Sequence, residues 1–370
     1  MTDITGNRLA RLRQRMADTN TDLVAVGPSS HLQWLLGLNP HGDERPVMAL
    51  VTADHAGVLM PKLNADAARA QCDSVPFYEW NDTEGPLDAL TALLTQLDVK
   101  RPGISVVLDE MMRADFAFLL VDQLEVPTRR FTEDTIGQLR AEKDADEHKL
   151  LRDCARLNDS AFELAFASLR TGMSETDVKT IIADHYRAHG AEPAFCIVGF
   201  GPNSAFPHHH TGADVLQPET AVLIDAGCRL NGYPSDMTRC AWYGDAPDPK
   251  FTQIAGVVEE AVQAAMSAAT PGAECRAIDG AARGVIEAAG YGAAFPHRTG
   301  HGLGVDVHEP PYMTASNDQA LTVGNVFSIE PGIYLTDAFG IRLEDIVHLG
   351  PDGPKALSGL SRRVLQIAPR

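Results

Sequence analysis

Val-Leu-Ile-Asp-Ala-Gly at residues 222–227 is answered 105 residues later by Phe-Ser-Ile-Glu-Pro-Gly at residues 327–332. Each is a short apolar run, as a buried strand requires, and each closes on Ile-acid-x-Gly. The chain runs through the same elements before both. A helix toward residue 169 stops at Thr171-Gly172, and an Ala/Val-rich helix over residues 251–269 stops at Pro271-Gly272. A second helix follows each break and ends at Gly190 or Gly290, the first opened by the N-cap signal Ser174-x-x-Asp177. Gly172 to Gly272, Gly190 to Gly290 and His208 to His308 are each 100 residues apart, so growth to 105 fits a small loop insertion. The shared order at a nearly constant offset predicts an internal duplication about a pseudo-two-fold axis.

That symmetry has a chemical consequence. Equivalent strands packed about a pseudo-dyad bring Asp225 and Glu330 together, and each half carries another acid further on, Asp236 in SDMTR and Glu344 in GIRLED. Four carboxylates on apolar strands cannot all stay ionised without compensation, because desolvated like charges repel strongly. A pair of divalent cations compensates them directly. His301, in TGHGLG, supplies a fifth ligand, with Gly300 and Gly302 permitting close backbone approach. One imidazole among four carboxylates suits Mn²⁺, Co²⁺ or Fe²⁺ better than a structural zinc site. The sequence His308-Glu309-Pro310-Pro311-Tyr312 is no HExxH zinc motif, since the second His is missing and two prolines forbid the helix.

Outside this region the first 130 or so residues alternate strand and helix signals, with helices over residues 8–20, 63–71, 87–97 and 114–124. Strand-like runs fall at residues 22–26, 47–52, 56–60 and 104–108. This α/β segment carries no obvious catalytic cluster. The text changes at the charged run beginning near residue 139, which places a domain boundary near residue 135: domains 1–135 and 136–370. Isolated His31, His41 and His55 read as surface or hydrogen-bonded residues.

Composition excludes several classes. A formal charge of −19 with no offsetting basic block argues against nucleic-acid binding. No apolar run approaches the roughly 20 residues of a membrane span. Charges scattered through the first twenty residues argue against a secretory signal, so a soluble cytoplasmic protein is expected. Six dispersed cysteines with no CxxC pair read as buried reduced thiols.

Four segments carry a resemblance: residues 225–239 (D-x-G-x₄-G-Y-x-S-D-x-T-R), 297–311 (HRTGHGLGVDVHEPP), 328–334 (SIEPGIY) and 340–347 (GIRLEDIV). In order and spacing they resemble the creatinase/prolidase/methionine-aminopeptidase superfamily, family M24, and most of all its Xaa-Pro dipeptidases and aminopeptidases. The resemblance covers most of the chain. It implies an N-terminal creatinase-like α/β domain followed by a pseudo-two-fold "pita-bread" α+β catalytic domain. It also implies that two divalent ions, Mn²⁺ foremost with Co²⁺, Fe²⁺ or Zn²⁺ as others, sit on five ligands. Asp225 would chelate the first, Asp236 and Glu344 would bridge, and His301 with Glu330 would complete the second. Glu330 would exchange protons with a bridging hydroxide, His308 would stabilise the oxyanion, and His208 and His297 would line the substrate pocket. Arg342 would pair with an acid of the cradle. Tyr312 stands in that pocket where many relatives carry Arg, which weakens an expectation of strict dipeptidase specificity. The implied substrate is a proline-containing dipeptide or short peptide, and the implied assembly a homodimer. Two other functions compete: hydrolysis of another small amide or cyclic amidine on the same scaffold, and peptide binding without catalysis.

Overall fold

The computed structural model describes residues 4–370 and separates into two compact units, the first ending at Arg140 and the second beginning at Ala141. The first unit is a six-stranded mixed sheet in the order Phe77–Trp80, Ala56–Pro61, Met48–Val51, Leu23–Val26, Ser105–Leu108, Thr128–Arg130. Leu23–Val26 is central and buried throughout, running parallel to Ser105–Leu108 and antiparallel to Met48–Val51. Helices Lys62–Gln71, Leu87–Gln96 and Ala114–Val121 appear where the sequence spacing predicts them.

The second unit is built twice. Helices Ala145–Ser168 and Glu175–Ala188 precede the strands Glu192–Phe200, Thr220–Leu230 and Met237–Tyr243. Helices Pro249–Ala268 and Cys275–Ala288 precede Gly300–Gly302, Val326–Ile329 and Asp345–Gly350. Each helix pair buries its apolar stripe in a hydrophobic core, one around Phe162, Ile182 and Ile224 and the other around Val258, Ile278 and Phe327, the second also taking in Leu223, Cys240 and Trp242 from the strands of the first half.

The repeat is visible bond by bond. Gly172 and Gly272 both have φ of 86°, and Gly190 and Gly290 also lie in the left-handed region, so glycine ends each helix or turn for the same steric reason. The Gly172 N–H donates to Leu216 O and the Gly272 N–H to Leu321 O; the Leu216 and Leu321 N–H groups return bonds to Met173 O and Ala273 O. The offset is 100 on one side of these pairs and 105 on the other, so the insertion lies between them. In the sheets Phe200 faces Val222 and Gly302 faces Phe327, an offset of 102 against 105. The 100-residue spacing of His208 and His308 is therefore a coincidence of count, since two residues have already been added upstream of both.

The charged run at residues 139–151 is divided between two helices. The short helix Ile136–Ala141 stops, and Ala145–Ser168 starts afresh behind Asp144. A capping box makes the break: Asp144 accepts from the Glu147 N–H while Glu147 accepts from the Asp144 N–H. All six cysteines are free, and among the described residues no helix is long and apolar enough to cross a membrane.

Candidate metal centre

Asp225 lies mid-strand in Thr220–Leu230, directly opposite Thr238 of Met237–Tyr243. Asp236 immediately precedes that second strand. Glu330 follows the strand Val326–Ile329, and Glu344 precedes Asp345–Gly350. Ile224 faces Arg239 and Ile329 faces Asp345. Asp225 and Glu330 are thus counterparts, as the duplication predicts, but the counterpart of Glu344 is Thr238. Asp236 stands two residues earlier and breaks the symmetry. The counterparts meet directly: Thr238 Oγ1 donates to Glu344 Oε2 at 2.7 Å.

The potential ligand atoms converge in overlapping groups, each within 4.8 Å of one another: Asp225, Asp236 and Glu344; His301, Glu330 and Glu344; Asp236, His301 and His308. His301 Nε2 lies 3.2 Å from Glu330 Oε1 and 3.6 Å from Asp236 Oδ2. Its Nδ1–H donates to Gly302 O at 3.0 Å, which leaves Nε2 as the lone-pair nitrogen facing the carboxylates. The two glycines beside it are steric necessities, since a Cβ on Gly300 would lie 1.9 Å from Ser328 O and one on Gly302 2.4 Å from Pro310 O.

The donor set fits divalent metal on an observation independent of convergence. Asp225 Oδ1 and Glu344 Oε1 are buried with no hydrogen-bond partner. Orphaned carboxylate oxygens are costly in a protein interior and call for a cation. Burial, then repulsion from Glu344, Asp225 and Glu330, pushes the Asp236 carboxyl well above its usual range. Burial and repulsion by Glu330 and Asp225 do the same to Glu344, and burial raises Glu330. Carboxyls pushed upward in this way become anionic readily only when positive charge is supplied.

Arg342 supplies part of it. Nη2 donates to Asp225 Oδ2 at 2.6 Å, Nε to Thr238 Oγ1 at 2.9 Å and Nη1 to the Tyr334 hydroxyl at 2.8 Å. Tyr334 in turn bonds His297 Nε2 at 2.8 Å, and His297 Nδ1–H donates to Arg298 O at 2.7 Å. A carbonyl only accepts and a guanidinium only donates, so the Tyr334 hydroxyl accepts from Arg342 and donates to His297. His297, expected to line a substrate pocket, has both ring nitrogens engaged inside this chain of bonds.

His308 packs edge-on against His301, with ring centroids 4.2 Å apart and planes at 77°. Partial burial and the nearby His301 and Arg298 charges push its imidazole down to about 4, so it is neutral at pH 7. Tyr312 lies opposite His301 in the ladder, and the Arg298 guanidinium carbon sits 4.4 Å above its ring centre. His208 is exposed and outside the converging groups; its neighbour His209 bonds the buried Glu175 at 2.8 Å. Tyr334 and Thr238 were not singled out by sequence, although both lie inside quoted motifs. Their signal is register: Thr238 faces Asp225 across a ladder, and Tyr334 follows Glu330 by four residues on the next strand.

A second acid–histidine group, His31, Asp109 and Glu110, lies in the first unit. Asp109 is fully engaged by the Gly27 and Met111 N–H groups and the Ser29 hydroxyl, and Arg140 donates to His31 Nδ1 at 3.0 Å. A guanidinium on the imidazole lone pair makes this a structural network rather than a cation site.

Residues 149–351 match the metallopeptidase family M24, and residues 8–106 match the creatinase/prolidase N-terminal domain. The Xaa-Pro dipeptidase of Lactobacillus helveticus is 32% identical over 95% of this chain and 96% of its own length. The crystal structure of dipeptidase PepE from Mycobacterium ulcerans superposes with a TM-score of 0.92 at 30% identity, covering 99% of this chain and 98% of that one. Recombinant prolidase from Thermococcus sibiricus gives 0.90 at 29% identity, covering 99% and 100%. With its cradle of four carboxylates and a histidine, its doubled second unit and these matches along nearly its whole length, the chain belongs to metallopeptidase family M24.

Proposed function

We propose that the chain hydrolyses Xaa-Pro amide bonds in dipeptides or short peptides, with Asp225, Asp236, His301, Glu330 and Glu344 holding two divalent ions. The observation that carries this is the convergence of all five side chains around two carboxylate oxygens buried without partners. Similarity to proteins named Xaa-Pro dipeptidase and prolidase supports the substrate class. The oxygen-rich donor set favours Mn²⁺ over a thiolate-seeking metal. Bound divalent ions supply a water of lowered pKa as nucleophile and polarise the scissile carbonyl.

The chain's own groups do the rest. Glu330, pushed upward by burial and steadied by the Ser328 hydroxyl at 3.0 Å, accepts a proton from the attacking water at its carboxylate and passes it toward the proline nitrogen. Neutral His308, at the rim beside His301, donates a ring N–H to the developing oxyanion. Arg342 holds Asp225 in one rotamer through its 2.6 Å bond and fixes Thr238 against Glu344, so the cradle is preorganised. The test is an activity profile of protein stripped of metal and reloaded with Mn²⁺, Co²⁺ or Zn²⁺. Gly-Pro, Leu-Pro, Ala-Pro-Ala and a longer Xaa-Pro peptide are assayed beside N-acyl amino acids and cyclic amidines. Metal-dependent cleavage of the Xaa-Pro set is expected; turnover confined to the other amides would overturn the proposal.

A further inference from the structure

We propose that Arg298 anchors the free carboxylate of an Xaa-Pro substrate, which makes the dipeptide the preferred length. This deepens the peptidase function proposed above and rests on it. Arg298 has a fixed main chain. The His297 carbonyl accepts from Arg283 Nη2 at 2.9 Å, the Thr299 N–H donates to Asp279 Oδ1 at 3.0 Å, and the Arg298 carbonyl takes the His297 ring N–H at 2.7 Å. From this pinned backbone the half-buried side chain extends over Tyr312, its guanidinium carbon 4.4 Å from the ring centre. Stacking on an aromatic face restrains a guanidinium while leaving its in-plane N–H donors open.

The place is the right one. Tyr312 is the direct ladder partner of His301, so the two side chains rise from the same face of the sheet. In an Xaa-Pro dipeptide the carboxylate carbon lies only about 3–4 Å from the scissile carbonyl carbon by covalent geometry. Its receptor must therefore stand beside the metal cradle and not in a distant subsite.

The charge is also uncommitted. Arg239 pairs with Asp345 at 2.6 Å, Arg283 with Asp279 at 3.0 Å and Arg342 with Asp225 at 2.6 Å. Arg298 has no carboxylate partner among the described residues, in a chain with 50 acidic against 31 basic side chains. A fork of parallel N–H donors matches a carboxylate in two-point geometry, which a neutral peptide amide cannot reproduce. The absence of Arg at position 312 is thereby answered: the cation stands on the face of Tyr312 instead of on its own side chain.

The experiment compares Leu-Pro with Leu-Pro-amide on the Mn²⁺-loaded enzyme, in the wild type and in Arg298→Ala, Arg298→Lys and Tyr312→Leu. A charge-assisted bond predicts a wild-type preference in kcat/KM of about ten- to a hundredfold for the free acid. Arg298→Ala should bring that ratio close to one, with most of the change in the KM for Leu-Pro. Arg298→Lys should keep part of it, and Tyr312→Leu should erode it by removing the stacking face. Turnover of the amide shows that each variant is folded. A wild type indifferent to the carboxylate, or an Arg298→Ala variant with the wild-type ratio, overturns the assignment. A wild type that cleaves neither compound removes the peptidase function itself, and this inference with it.

Discussion

Replacing Arg342 by Met isolates what holds the cradle together before metal arrives. Arg342 is 3% exposed and its guanidinium makes three bonds, to Asp225, Tyr334 and Thr238. Burial alone would pull Arg342 down, but the charges of Tyr334, Asp225, Glu330 and Glu344 outweigh it and hold the side chain cationic. Methionine fills similar volume, so packing is largely kept and the loss is electrostatic. Breaking one partner out of a buried pair costs about 3–5 kcal/mol, because Asp225 is left charged and desolvated. The two hydroxyl bonds add about 0.5–1.5 kcal/mol each, though such contributions overlap within a network. A total near 4 kcal/mol lowers the melting temperature by roughly 8–16 °C for a unit of this size. The assay is thermal melting of chelator-treated protein followed by circular dichroism, repeated with saturating Mn²⁺. Metal at about a hundred times its dissociation constant returns about 2.7 kcal/mol per site, so the loaded variant should recover a large part of the loss. A melting temperature within 2 °C of wild type in the metal-free state, by contrast, would refute the role given to Arg342.

Other perturbations separate charge from sterics. Asp236→Asn removes one of the mutually repelling buried carboxyls, so the metal-free protein should melt higher than wild type while its metal-dependent rise and its activity disappear; a lower metal-free melting temperature would contradict this. Gly300→Ala places a methyl 1.9 Å from Ser328 O, and should destabilise by at least about 2 kcal/mol and displace His301, seen as weakened metal binding in calorimetry. His348, stacked on His148 at 3.9 Å, is pushed down to about 4 from 6.5 by burial and then by the His148 charge. The unfolded chain therefore binds a proton there that the folded chain refuses between those pH values. Stability should fall as pH drops from 6.5 to 4, and His348→Gln should flatten that part of the melting-temperature profile.

Much of the fold was legible because its signals are local or periodic. The four glycines 100 residues apart mark left-handed turns that only glycine enters cheaply, so they survived in both halves. The convergence of the candidate ligands was legible because acids on apolar strands demand an explanation and because the motifs stand in family order. What stayed hidden depends on register and reach. Nothing in the local text shows that Thr238, and not Asp236, is the counterpart of Glu344; the ladder offset of 106 decides it, where Asp236 would need 108. The bond chain from His297 through Tyr334 and Arg342 to Asp225 joins residues from four separate segments. Arg298, between a histidine and a threonine, looks like any surface cation in the sequence until Tyr312 appears beneath it. The break at residues 142–144 is hidden in the sequence because a capping box within a charged run looks like continued helix until its two bonds are seen.

The central claim is that five side chains form one two-ion cradle, and metal stoichiometry tests it most directly. Chelator-stripped protein titrated with Mn²⁺ in a calorimeter should take up two equivalents per chain, and Glu344→Gln, which alters the residue shared by both groups of ligands, should lose both. Uptake of no metal by the wild type, or two full equivalents by the Glu344→Gln variant, would contradict it.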